Sequence, residues 1–219
     1  MFKTKSRTSL AITGALTALA ILSACGGGGG GSSATPVASD LQTAPPAPAP
    51  AEVVLASAYT PIAAAATSSK PVWPAWGHTG TDPVGGVGCY KNGNYHIHAL
   101  LSMYQDGVRL ALPGAIGRDT GCEYEMHTHE GSGTVHIETD VPMTFTLGQF
   151  FALWGQNLSA TSVAGLPGTP AYYVIENEKI TRVTTNPADI TLSAHKEVVV
   201  ITGAPPREVP KYDWGTSGL

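Results

Sequence analysis

The chain has 219 residues, a formal net charge of −4, 42% hydrophobic residues and only 13% charged ones. An acidic chain is a poor partner for nucleic acid, whose phosphates call for a basic surface. The length suits one domain with its own core plus flanking segments.

Lys3, Lys5 and Arg7 precede an apolar stretch from about Leu10 to Leu22, the charge-then-hydrophobe order that export machinery reads. The stretch is short for a membrane span. It ends in Leu22-Ser23-Ala24-Cys25, which resembles the lipobox of bacterial lipoproteins. The Gly26–Gly31 run that follows opposes any continuing helix. The resemblance implies a signal peptide over 1–24 and a lipid-bearing Cys25. With Gly26 rather than Asp next, it also implies a cell-envelope protein anchored at the outer membrane, facing the periplasm or the cell surface. Loss of three basic residues with the signal takes the net charge to −7.

Residues 25–70 are dominated by Gly, Ser, Ala, Thr and Pro, as in Ala44-Pro45-Pro46-Ala47-Pro48-Ala49-Pro50. Such a segment buries too little apolar surface to offset its ordering entropy and reads as a disordered tether. Its more apolar part, Val53 to Ala66, is expected to dock weakly on the domain. The folded part is placed at 71–214, with a short tail at 215–219.

That domain reads as mainly β, an antiparallel β-sandwich or barrel-like fold with one short amphipathic helix. Tyr95–Tyr104 alternates as a strand, Asp106-Gly107 turns the chain, and Val108–Leu112 returns. A third strand is expected from Cys122 to about His129, and a fourth from Thr134 to Thr139 after the Glu130–Gly133 turn. Thr146 and Gln149 form a capping box ahead of Leu147, Phe150, Phe151 and Trp154 on one helical face, with Gly155 as the stop. A hairpin is predicted over Tyr172–Val183, and Glu197–Thr202 is a continuous apolar strand.

Five of the seven histidines fall in three strand-like pieces, His96-Ile97-His98, His127-Thr128-His129 and His136-Ile137-Glu138. Residues two apart on a strand share a face, so each piece aims its polar pair one way. If Glu130–Gly133 is a four-residue loop, His127 faces His136 and Glu125 faces Glu138, with Cβ atoms about 4.5–5.5 Å apart. Imidazoles so placed can meet one cation at the ~2.0–2.1 Å typical of zinc sites. The candidate ligands are therefore His96, His98, His127, His129, His136 and Glu138, with Glu125 as a further oxygen. Imidazole donors suit copper or zinc. His78 and His195 stand apart and read as structural, although His195 joins the cluster if its strand is adjacent.

Cys89 and Cys122 remain in the exported part, where an isolated pair is most simply a disulfide, paired thiolate metal ligands being the rival reading. Cys89 lies seven residues before His96 and Cys122 five before His127. In a meander a bond between them clamps the first and third strands and leaves the two His-x-His pieces offset by two residues. It also contributes about 3–4 kcal/mol through loop closure.

Gly121 followed by His127-Thr128-His129 resembles the first half of a cupin motif. The downstream Glu is missing, since Gly133 and Thr134 stand in its place, and so is the second motif. A wider resemblance is to an uncharacterised family of exported bacterial proteins. It rests on Tyr95-His96-Ile97-His98-Ala99-x-Leu101, a Cys before His127-Thr128-His129, Gly133-x-x-His136-Ile137-Glu138, Leu147-Gly148-Gln149-Phe150-Phe151, and Asn186-Pro187-x-x-Ile190-x-Leu192 with His195. It implies that histidines and cysteines belong to one scaffold, and transfers no activity.

Three functions fit. One is a lipoprotein that binds copper or zinc, its partners being the metal ion and, through the lipid, the membrane. Another is a metal-dependent envelope enzyme with Glu138 or Glu130 as general base. The third is a non-catalytic interaction module whose histidines form a pH-sensitive surface. No His-Glu-x-x-His, Gly-x-Ser-x-Gly or phosphate-loop motif is present.

Overall fold

The computed structural model describes residues 52–62, 73–78 and 80–215. The signal segment, Cys25, most of the expected tether and residues 216–219 lie outside the described residues. Within them the strands are β1 (Leu55–Pro61), β2 (Tyr95–Gln105), β3 (Val108–Leu110), β4 (Arg118–Asp119), β5 (Cys122–Glu123), β6 (Met126–His127), β7 (Thr134–Thr139) and β8 (Phe145–Thr146). The helix α1 (Leu147–Trp154) comes next, then β9 (Ala171–Glu176), β10 (Lys179–Val183), β11 (Thr191–Leu192), β12 (Glu197–Thr202) and β13 (Val209–Asp213).

The main sheet has the order β10-β9-β12-β2-β7-β6, with β3 also on β2. At 11 residues, β2 is long enough to take two partners along one edge. β3 pairs with Met103–Gln105 through the Asp106-Gly107 turn, and β7 pairs with Tyr95–Leu100. Where the two meet, Leu101 N–H donates to the Gly133 carbonyl, and Gly133 has φ +89°, with no space for a Cβ beside Leu101 O. On the other edge β12 runs parallel to β2, and β9 and β10 continue antiparallel.

Parity along the strands sorts the two faces. Ala99, Leu101 and Met103 of β2, Val135 and Ile137 of β7, and Val198 and Val200 of β12 enter the larger core with Leu147, Phe150, Phe151, Leu153 and Trp154 of α1. The helix begins and ends as its sequence predicts. Thr146 Oγ1 accepts from Gln149 N–H, the Gln149 side chain accepts from Thr146 N–H, and Gly155 closes it at φ 75°. On the opposite face, Tyr104, Val199 and Ile201 pack against Val53 and Val209, and Leu100 packs with Ile62 and Tyr212.

This second cluster corrects one boundary. Residues 55–61, expected within the tether, form β1, which pairs in parallel with β13. Val53 and Ile62, at 7% and 2% exposed, bury more than weak docking would. The β1–β13 ribbon therefore forms a second layer over part of the main sheet. The third expected strand is also divided. Cys122–Glu123 pairs back with β4, Tyr124 bridges to Cys89, and only Met126–His127 joins the main sheet.

The candidate metal centre

The end of β2 nearest its N-terminus carries His96 and His98 on the face opposite the helix. β7 lies between β2 and β6, where a simple meander would set β6 beside β3. One row therefore crosses three strands, His98 opposite His136 and His136 opposite His127. In the next row His96 is opposite Glu138, whose N–H donates to the Glu125 carbonyl. The two His-x-His pieces are parallel and offset by two residues as expected, but β7 separates them. That insertion puts His136 at the centre of the histidines rather than at their edge.

The rings converge. His136 Nδ1 lies 3.0 Å from His98 Nε2 and 3.2 Å from His96 Nε2. His127 Nε2 lies 3.1 Å from His129 Nε2. Glu138 Oε1 sits 3.1 Å from His96 Nε2, 3.7 Å from His127 Nε2 and 3.8 Å from His136 Nδ1. Four donors at ~2.0–2.1 Å from a tetrahedral ion stand about 3.3–3.4 Å apart, so these spacings are those of a coordination shell. Two groups of donor atoms lie within 4.8 Å of one another, His127, His129, His136 and Glu138 in one, His96, His98 and His136 in the other. All six predicted ligands are brought together.

Burial grades across the site. His127 is fully buried and His98 is 9% exposed, whereas His96 and His129 are exposed at the rim. Desolvation, helped by neighbouring histidines, pushes the His98 pKa down to about 4 and that of His136 down to about 3. Desolvation also lowers the His127 pKa, against the hydrogen bond to Tyr124 and the charge of Glu123. These rings are thus neutral at physiological pH, the form in which imidazole binds metal.

The tautomer of His127 follows from its backbone partner. Nδ1 lies 2.9 Å from the Tyr124 carbonyl and must donate to it, which leaves a lone pair on Nε2 aimed into the cluster. Such outer hydrogen bonds orient ligand histidines in metal sites. His129 Nε2 then donates to His127 Nε2, and its Nδ1 accepts from Arg118 Nη1 at 3.4 Å.

Three residues beside the site were not anticipated. Glu123 Oε1 lies 3.6 Å from His127 Nε2 and accepts from Arg118 Nε at 2.6 Å, while its Oε2 accepts from the Tyr90 hydroxyl at 2.8 Å. Burial opposes ionisation of Glu123, but the Tyr90 hydrogen bond and the charge and hydrogen bond of Arg118 outweigh it and hold the carboxyl below its usual range. The same hydrogen bond is the main reason the Tyr90 hydroxyl is pushed up to about 12. The Tyr90 ring also stacks over His127 at 6.2 Å. The signal for Glu123 was its even spacing from His127, and Tyr90 follows the bridging cysteine.

Other expectations resolve differently. Glu125 Oε2 accepts from Gly88 N–H and so braces the strand edge. Glu130, considered as a general base, instead caps Ser132 through its N–H and hydroxyl. His78 stacks on Trp76 and meets the Tyr124 hydroxyl in a structural role. His195 N–H donates to the His98 carbonyl and its ring stacks on Trp214, so it borders the cluster without entering either donor group. Cys89 and Cys122 form the disulfide, with Cα atoms 5.4 Å apart, which removes them as thiolate ligands.

Comparison with protein-family models, with curated proteins and with solved structures finds no match. The chemistry of the site is therefore argued from its geometry alone.

Proposed function

We propose that this protein is an envelope lipoprotein that binds copper or zinc through His96, His98, His127, His129, His136 and Glu138, the lipid on Cys25 holding it at the outer membrane. The observation that carries this reading is the convergence of five imidazoles and a carboxylate, from three adjacent strands, at coordination spacing. A pH-sensitive polar surface would leave its histidines splayed and solvated. Here the inner rings are buried, neutral and, at His127, fixed in a ligand tautomer. All-nitrogen donors with one carboxylate suit borderline divalent ions, among which the Irving–Williams order favours copper and abundance favours zinc.

Metal-dependent catalysis is the second reading, and the exposed rim favours it. His96 and His129 leave the site open to solvent, with Arg118 beside His129, so an ion there keeps a position for water or an anion.

Elemental analysis of the full chain, purified without a histidine tag and dialysed after exposure to zinc or copper, tests the proposal. Stoichiometric metal in the wild type, lost in His127→Ala and His136→Ala, is the expected result. A wild type that keeps no metal overturns it. Metal retained equally by both variants places the site elsewhere.

A further inference from the structure

Building on the metal-binding reading, we propose that the cluster is a two-ion centre, each lobe taking one borderline divalent ion, zinc or copper(II). The first lobe is His96, His98 and His136. The second is His127, His129 and Glu138.

Donor number is the first argument. Zinc takes four protein ligands in structural sites and three with a water in catalytic ones, whereas this cluster offers five imidazoles and Glu138. Spacing is the second. Ligands around one ion, even on opposite sides of an octahedron, stand no more than about 4.4 Å apart at the usual bond lengths. The six donors do not form a single group even at 4.8 Å; they form two that share His136.

The assignment of His136 follows from its ring. Its Nδ1 faces His98 Nε2 at 3.0 Å and His96 Nε2 at 3.2 Å, closing a triangle of nitrogens on the first lobe. To serve both lobes it would have to use both ring nitrogens and give up its N–H proton. The second lobe has its own nitrogens in His127 and His129, 3.1 Å apart.

Glu138 lies at the seam. Its Oε1 is 3.1 Å from His96 Nε2 and 3.7 Å from His127 Nε2, so one carboxylate oxygen borders both lobes. Two cations close together need negative charge between them, and paired catalytic ions commonly stand about 3.5–4 Å apart. A second carboxylate, Glu123, backs the His127 side at 3.6 Å. The two exposed rings, His96 and His129, belong to different lobes, so each ion has its own path from solvent.

The test is zinc titration of the full chain by calorimetry, with bound metal counted after gel filtration. Two equivalents are expected for the wild type and one for each of His96→Ala and His129→Ala, rim substitutions that spare the buried rings. Saturation of the wild type at one equivalent overturns the two-ion centre while leaving the metal site intact. No bound zinc overturns the underlying reading instead. Copper(II) spin resonance needs no variant. At two equivalents a half-field transition from a coupled pair is expected, and two uncoupled mononuclear signals would overturn the proposal.

Discussion

His127 and His136 face each other directly across the β6–β7 ladder, their rings 5.2 Å apart and within 7° of parallel. Residues 128–133 connect the two strands, so a change in the length of that segment would separate the pair. The other ligands are placed around this pair, His98 opposite His136 and His96 opposite Glu138 on β2, Glu138 two residues along β7, and His129 two residues beyond the end of β6.

The neutral inner histidines give stability a defined pH dependence. His98 and His136 fall from an ordinary 6.5 to about 4 and about 3 on folding, chiefly through desolvation. Below pH 6.5 the unfolded chain takes up protons that the fold refuses, so the metal-free protein loses stability as pH falls towards these values. His136→Ala removes part of this linkage. Denaturant unfolding at pH 8 and pH 5 is expected to show a smaller loss for the variant than for the wild type. Equal losses would contradict the buried, neutral state of His136.

Glu197 acts in the opposite sense. Burial raises its carboxyl from 4.5 to about 7, although the Ser102 hydrogen bond and the Arg109 charge oppose the shift. Between those values the folded chain keeps a proton that the unfolded chain has lost, so stability falls as pH rises from about 4.5 to 7, by roughly 3 kcal/mol. Glu197→Gln is expected to raise Tm relative to wild type at pH 8, with no such gain at pH 4.5. A difference that is the same at both pH values would count against this account.

Gly117 links backbone conformation to the site. It has φ +75°, and a Cβ there would stand 2.4 Å from the Met126 carbonyl and 3.1 Å from the His127 Cβ. Gly117→Ala must therefore push β6 away, at a cost of about 1–3 kcal/mol in strain. Zinc affinity is expected to fall at least tenfold although no ligand is changed. Unaltered affinity would show that β6 need not hold its place.

How much of this was legible in the sequence depends on which physical rule set each feature. Strand parity put His96 and His98 opposite Ile97 and Leu101, and the loop length put His127 against His136, because both follow from local geometry. The Thr146 capping box and the Gly155 stop are local in the same way. Strand order is not local. Nothing in the parity of Thr134–Thr139 says that it enters between β2 and β6, and nothing in Val198–Ile201 says that it runs parallel to β2. β1 escaped notice because Leu55–Pro61 has no alternation and is largely exposed; pairing with β13 and the flanking Val53 and Ile62 hold it. Glu123 shares the parity of Glu125 and His127, but its place beside His127 comes with the short β4–β5 pairing, which strand parity does not reveal.

The disulfide braces both fold and site. It closes a loop over a sequence separation of 33 residues, worth about 3–4 kcal/mol in loop entropy. Tyr90 and Glu123, which meet beside His127, each adjoin one of its cysteines. Replacing both cysteines by serine is expected to lower Tm and also to weaken zinc binding. A fall in Tm with unchanged affinity would confine the bond to a role in stability.

Whether these imidazoles are ligands is read by X-ray absorption at the zinc edge of the zinc-loaded full chain. The expected spectrum has a first shell of nitrogen and oxygen at about 2.0–2.1 Å, with the outer-shell scattering of at least three imidazoles, and loses that scattering in His136→Ala. A spectrum of oxygen ligands alone, unchanged by the substitution, would show that the histidines do not hold the ion.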